Sequence, residues 1–136
     1  MKHISSLLFF SFILSLATVS VAYSQILPQR DRATLRDEII KDRFETLLPK
    51  LMDDTGIDMW LVIAREYNED PVMRTMLPAT WLNARRRTIL VFYRNKAQNT
   101  LERLAVARYD VGANITSSWD KEKQPNKWER LVEIIK

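Results

Sequence analysis

Between Arg65 and Asp70 the chain sets a guanidinium, two glutamates, a phenol, an amide and an aspartate side by side: Arg65, Glu66, Tyr67, Asn68, Glu69 and Asp70. Closely spaced carboxylates are the raw material of general acid–base chemistry, in which one group holds a proton while another accepts one. The same residue types also build a polar turn with helix-capping acids, and Asp70-Pro71 favours a turn followed by a helix start. A second acidic pair, Asp53-Asp54, stands where a helix is expected to end and reads as a solvated terminus. Arg85-Arg86-Arg87, with Trp81 before it and Phe92 and Tyr93 after it, joins charge suited to phosphate with rings suited to stacking. With no recognisable nucleic-acid module around it, this run reads as a solvated loop entering a strand, its arginines paired with nearby acids. Nucleic acid is not expected as a partner.

Much chemistry is excluded by what the chain lacks. Its 136 residues contain one histidine and no cysteine. Lys2 and His3 precede an apolar run from Ile4 to Val21, and no acid occurs before Asp31. That is the charged start and apolar centre of a secretory signal. Cleavage after Ala22 and cleavage after Ser24 both meet the small-residue rule. The second, leaving Gln25 as the new N-terminus, is preferred; the alternative is an uncleaved anchor. The 136 residues less the 24 of the signal leave 112, with 20 Lys plus Arg against 17 Asp plus Glu and a net charge of +3. His3 leaves with the signal. The remainder cannot supply a histidine or thiol nucleophile, a Ser-His-Asp triad or a His/Cys zinc site, although a carboxylate site for magnesium or calcium stays open. Two glycines, Gly56 and Gly112, leave no phosphate-cradling loop of the Walker or Rossmann type.

The elements that must position these residues follow from periodicity. After a linker over 25–30, Asp31 to Leu48 predicts an amphipathic helix with Leu35, Ile39, Phe44, Leu47 and Leu48 inward and Asp31 or Thr34 as cap. Pro49 predicts a kink, and Gly56 a left-handed stop after Lys50 to Thr55. Ile57 to Ala64 is almost wholly apolar and predicts a central strand covered on both faces. Val72 to Leu77 predicts a short helix, and Thr88 to Tyr93 and Leu101 to Tyr109 two strands joined by a long hairpin loop. Asp110 to Gln124 reads as a loop with an exposed Trp119. Asn126, with Glu129 three residues on, predicts a capped helix whose Trp128, Leu131, Val132 and Ile135 aim at a core. That helix runs to Lys136 with no stop signal and no following strand, so the domain over 31–136 reads as cut short.

The run Gly56-Ile57-Asp58-Met59-Trp60-Leu61-Val62, a glycine stop leading into a buried strand, resembles the opening of the creatinase/prolidase-type N-terminal domain. That domain precedes the pita-bread catalytic domain of aminopeptidase P and its relatives. Arg65-Glu66-Tyr67-Asn68-Glu69-Asp70-Pro71-Val72, Glu102 to Gly112 and Trp128-Glu129-Arg130-Leu131 are similar to a bacterial branch of Xaa-Pro peptidase-like proteins, and the resemblance spans residues 30–136. It implies an α/β fold, a ribonuclease-H-like sheet with flanking helices, incomplete at its C-terminus. The family's dinuclear metal site uses two aspartates, a histidine and two glutamates of the C-terminal domain, and no position here matches them. The resemblance therefore implies no catalytic or metal-binding residue in this chain, and no cofactor except the divalent metal pair of the absent catalytic domain.

What it does imply is an exported, periplasmic or secreted, noncatalytic domain that forms oligomer contacts and walls a substrate cleft, with Arg65 to Asp70 as the loop nearest the peptide. The expected partners are the C-terminal catalytic domain, further copies of the parent and its peptide substrate. No membrane association is expected after signal removal. Two other readings are a freestanding secreted binding module of the same fold, and a carboxylate hydrolase using Asp53, Asp54, Glu66, Glu69 or Asp70.

Overall fold

The computed structural model describes residues 26–136, so the signal reading lies outside the described residues. The chain builds an α/β fold: a four-stranded mixed sheet with helices on both faces. Helix α1 (Gln29–Asp42) passes through a π-helical turn, Arg43–Leu47, into α2 (Leu48–Thr55). Strand β1 (Met59–Arg65) and the short α3 (Pro71–Met76) follow. Then come β2 (Arg87–Asn95), β3 (Thr100–Ala105), the two-residue β4 (Thr116–Ser117) and α4 (Lys127–Ile135).

The long helix departs from expectation at three points. It begins at Gln29, inside the expected linker, and neither Asp31 nor Thr34 caps it; the Thr34 hydroxyl donates back to the Arg30 carbonyl at 3.2 Å. It also does not break at Pro49. The Leu48 N–H donates to the Arg43 carbonyl, five residues back, in a wider turn placed immediately before the proline, which has no N–H and whose ring crowds the preceding turn. This turn shifts the facing register. Ile40, Phe44, Leu48 and Met52 form the buried face, while Leu35, Ile39 and Leu47 remain half-exposed. Gly56 ends the helix as expected, at φ +71, with Ile57 N–H on the Met52 carbonyl (3.0 Å) and Gly56 N–H on that of Asp53 (3.3 Å).

The sheet order is β1-β2-β3-β4, the first three strands antiparallel and β4 parallel to β3. The strand expected at the centre, β1, therefore lies at the edge. In a meander the middle strand takes the centre, and here that strand is β2, buried from Thr88 to Phe92. Leu90 and Phe92 face the α1–α2 layer, where Phe92 meets Phe44 with ring centroids 5.6 Å apart. Ile89 and Val91 face the other layer, with Leu131 and Ile134 of α4. The hairpin between β2 and β3 is tighter than expected, since pairing continues to Asn95↔Thr100.

Two further expectations are corrected. Trp119 is buried, because its indole N–H donates to the Gln124 carbonyl at 2.7 Å and its ring packs against Ile89, Val91 and Leu131. On α4, Leu131 is buried and Ile134 packs beside it, but Trp128, Val132 and Ile135 stay half-exposed.

Asp53 is not a merely solvated terminus. Arg94, buried on β2, donates to it through Nε (3.0 Å) and Nη2 (2.8 Å), and gives further hydrogen bonds to Asn99 Oδ1 and the Thr100 carbonyl. The fork ties the end of α2 to the β2–β3 hairpin. Hydrogen bonding from Arg94 holds the Asp53 carboxyl below its usual range, against a smaller opposing effect of burial. Its stabilising contribution is therefore complete above the unfolded aspartate value near 3.8 and is lost as pH falls through the lower folded value. Asp53→Asn should flatten the acid limb of a stability-versus-pH curve measured by urea unfolding, while Asp54→Asn should leave its shape unchanged.

Candidate functional site

The loop after β1 shows how its acids are used. Asn68 N–H donates to the Arg65 carbonyl at 2.9 Å, closing a turn in which Tyr67 takes a left-handed conformation at φ 65 and points into solvent. Asp70 Oδ1 accepts from Val72 N–H at 2.7 Å, the helix cap expected of it. Glu69 Oε1 accepts from Tyr67 N–H (3.1 Å) and from Ala84 N–H (3.2 Å). Glu66 Oε2 accepts from Arg86 N–H at 3.0 Å, and the Glu66 N–H donates to the Arg86 carbonyl at 2.5 Å. Arg65 stands opposite Arg87 in the β1–β2 register.

These acids accept from backbone N–H groups, with no acid–base pairing between them. Glu66 and Glu69 clamp the segment over 84–86. That link joins residues 15 and 20 positions apart and had no mark in the sequence. Arg86 is held at φ 54, a left-handed conformation that bulky residues rarely adopt, and the clamp is what can sustain it.

The clamped segment forms one wall of a cleft of about 310 Å³. Six cations line it: Arg85, Arg86, Arg87, Arg108, Lys121 and Lys127. Its remaining walls are Trp81, Thr88, Ala107, Tyr109 and Trp119. No acid is among the lining residues. The expectation that Arg85, Arg86 and Arg87 pair with nearby acids is corrected, since none of the ion pairs among the described residues includes any of the six cations.

Three of these heads are placed by aromatic rings. Arg85 lies 4.7 Å from the Trp81 ring centroid, Arg87 5.4 Å from that of Trp128, and Lys127 4.9 Å from that of Trp119. The Lys127 ammonium also donates to the Arg87 carbonyl at 2.7 Å. Burial, followed by the charges of Arg87, Arg108 and Arg86, lowers its pKa from the ordinary lysine value.

Sequence reasoning singled out the arginine run but missed its companions. Arg108 follows β3, Lys121 lies in the loop after β4, and Lys127 opens α4; only the fold joins them. Phe92 and Tyr93, expected beside the run, do not line the cleft, and Phe92 belongs to the core against α1 and α2.

Among the described residues no three His, Cys, Asp or Glu side chains converge as metal ligands, and no helix is long and apolar enough to cross a membrane. No family model, curated protein or solved structure gives a significant match to the chain.

The clamp makes a direct prediction. Replacing Glu66 and Glu69 together by alanine removes charge-assisted acceptors worth about 1.5–3 kcal/mol each, so amide exchange at Ala84 and Arg86 should accelerate on the order of tenfold or more. Tyr67→Ala, at a fully solvated side chain, should leave those rates alone.

Proposed function

We propose that the chain is the noncatalytic N-terminal domain of an exported Xaa-Pro aminopeptidase-like metallopeptidase of the creatinase/prolidase type. In this reading it supplies oligomer contacts and walls the substrate cleft of the parent, whose dinuclear metal and catalytic ligands belong to a C-terminal domain. The reading rests on the motif resemblance, and one structural observation supports it above the others: a long apolar edge that pairs with nothing among the described residues, beside apolar faces.

Antiparallel strands alternate between residues that bond their partner and residues that face away. Asp58 accepts from Arg94 N–H (2.8 Å) and Glu66 bonds Arg86, so the even-numbered residues between them, Trp60, Val62 and Ala64, face β2. Met59, Leu61 and Ile63 then direct their backbone groups to the open side. The Ile63 side chain is 45% exposed, and on the same side of the sheet Trp128, Val132 and Ile135 form a half-exposed stripe along α4. Freestanding proteins blunt such edges with charge, proline or a bulge, whereas this one is MWLVIAR without interruption. A strand and helix from further protein would cover both surfaces at once, and would extend the mixed sheet toward the ribonuclease-H-like form. On this reading the loop of Arg65 to Asp70, at the end of the same strand, lies beside the added protein and its peptide substrate.

The alternative, a freestanding secreted binding module of the same fold, is favoured by a different observation, the cleft with six cations that form no ion pair among the described residues. Extending the gene sequence past codon 136 separates the two. The proposal predicts an open frame carrying spaced Asp, Asp, His, Glu and Glu, whose product cleaves Xaa-Pro peptides with added manganese while the chain ending at Lys136 does not. A stop codon directly after Lys136 would overturn it in favour of the binding module.

A further inference from the structure

The cationic cleft needs an explanation under either reading. The mature chain is nearly balanced, with a net charge of +3, yet six cations meet in this one place with no lining acid. Glu66 and Glu69 reach the arginine segment at its backbone N–H groups, and Asp120 and Glu122 line the adjoining groove, where Asp120 pairs with Lys123 at 3.3 Å. Five of the six cations are exposed and only Lys127 is half-buried, so water screens much of their mutual repulsion, and a bound anion would relieve the rest.

The cleft is also held in shape before any anion arrives. Glu66 and Glu69 grip the backbone of the arginine segment and fix the loop that carries its guanidinium groups. Trp81, Trp128 and Trp119 set the positions of Arg85, Arg87 and Lys127. Fixed donors are the condition for tight anion binding, because less freedom is lost when the ligand enters.

Size and wall chemistry narrow the ligand. At about 310 Å³ the cleft lies at the small end of the range for small-molecule sites. Guanidinium forks match the paired oxygens of a phosphoryl group. Ala107 and the ring of Tyr109, which is 61% exposed, give the same cleft an apolar side that a bare inorganic anion would not use. A planar ring laid on tyrosine would use it.

We propose that this cleft binds a small phosphate ester carrying a planar ring, with the phosphoryl group received by Arg86, Arg87, Arg108 and Lys127 and the ring laid against Tyr109. Lys121 at the cleft wall adds long-range attraction. The site borders the open surface, since Arg87 lies opposite Arg65 of β1 and over Trp128 of the α4 stripe.

The test is calorimetry on the full exported chain with AMP, adenosine, inorganic phosphate and a short single-stranded DNA as probes. AMP should bind saturably and about tenfold or more tighter than inorganic phosphate, and adenosine should not bind. Arg108→Gln should weaken AMP about tenfold, the loss of one charge-assisted contact, with an unchanged melting temperature. Tyr109→Ala should reduce the preference for AMP over phosphate. A readout without any variant is the Lys127 side-chain titration followed by NMR, whose midpoint should rise when AMP is added, because the ligand's charge offsets Arg86, Arg87 and Arg108. Absence of saturable AMP binding at millimolar concentration, or AMP binding that leaves the Lys127 titration unmoved, would overturn the proposal. Equal affinity for AMP and phosphate would remove the ring from it, and preference for DNA over AMP would replace the small ligand with a nucleic acid.

Discussion

Strand β2 has to be buried on both faces, and the rest of the molecule is arranged around that requirement. Thr88 to Phe92 are inaccessible from either side, so one helical layer must cover Leu90 and Phe92 and another must cover Ile89 and Val91. The first layer is thorough: Ile40, Phe44, Leu48 and Met52 recur every four residues along a helix that survives a proline by widening one turn before it. The one charged side chain that β2 sends to this layer, Arg94, is neutralised by Asp53 at the end of the same helix. The guanidinium needs its partner where it leaves solvent, which ties the Asp53–Arg94 fork to the helix-on-sheet packing. The second layer is thinner. Only Leu131 is fully buried on α4, and β1 beyond it is left with an open edge.

The two ends of β2 have different tasks. Its C-terminal end is locked to the helix through Arg94. Its N-terminal end opens from the clamped segment over 84–86, where backbone geometry is strained at Arg86 and cations converge. The loop of Arg65 to Asp70 belongs to this second end. Its glutamates take hydrogen bonds from the main chain of the segment over 84–86 and hold its shape.

Local signals were legible where a residue acts on its own neighbours. Gly56 stops its helix, and Asp70 and Asn126 each accept from the N–H two residues ahead. The β-branched and aromatic run of β2 reads directly as a strand. What failed did so for physical reasons outside local pattern. The π turn over Arg43–Leu47 adds a residue to the helical repeat, so spacing counted at 3.6 assigns Leu35 and Ile39 to a core face that Ile40 occupies. The apolar runs of β1 and β2 look alike, and only the hairpin to β3 decides which is central. Trp119 reads as exposed in a polar loop because its burial comes from the Gln124 carbonyl at the end of that loop, the Lys127 ammonium at the start of α4 and core residues of β2 and α4. The cleft was illegible for the same reason: Arg108, Lys121 and Lys127 have no periodic relation to Arg85, Arg86 and Arg87.

We propose that β1, the edge strand of the described sheet, is covered by further protein. Residue-resolved hydrogen exchange tests it most directly, comparing the dilute chain ending at Lys136 with the product of any open frame that continues past codon 136. In the shorter chain the amides of Met59, Leu61 and Ile63 should exchange orders of magnitude faster than those of Trp60, Val62 and Ala64, which bond β2. In the longer protein both sets should be slow. Outward amides that exchange equally fast in both proteins, or that are already slow in the dilute shorter chain, would contradict the account.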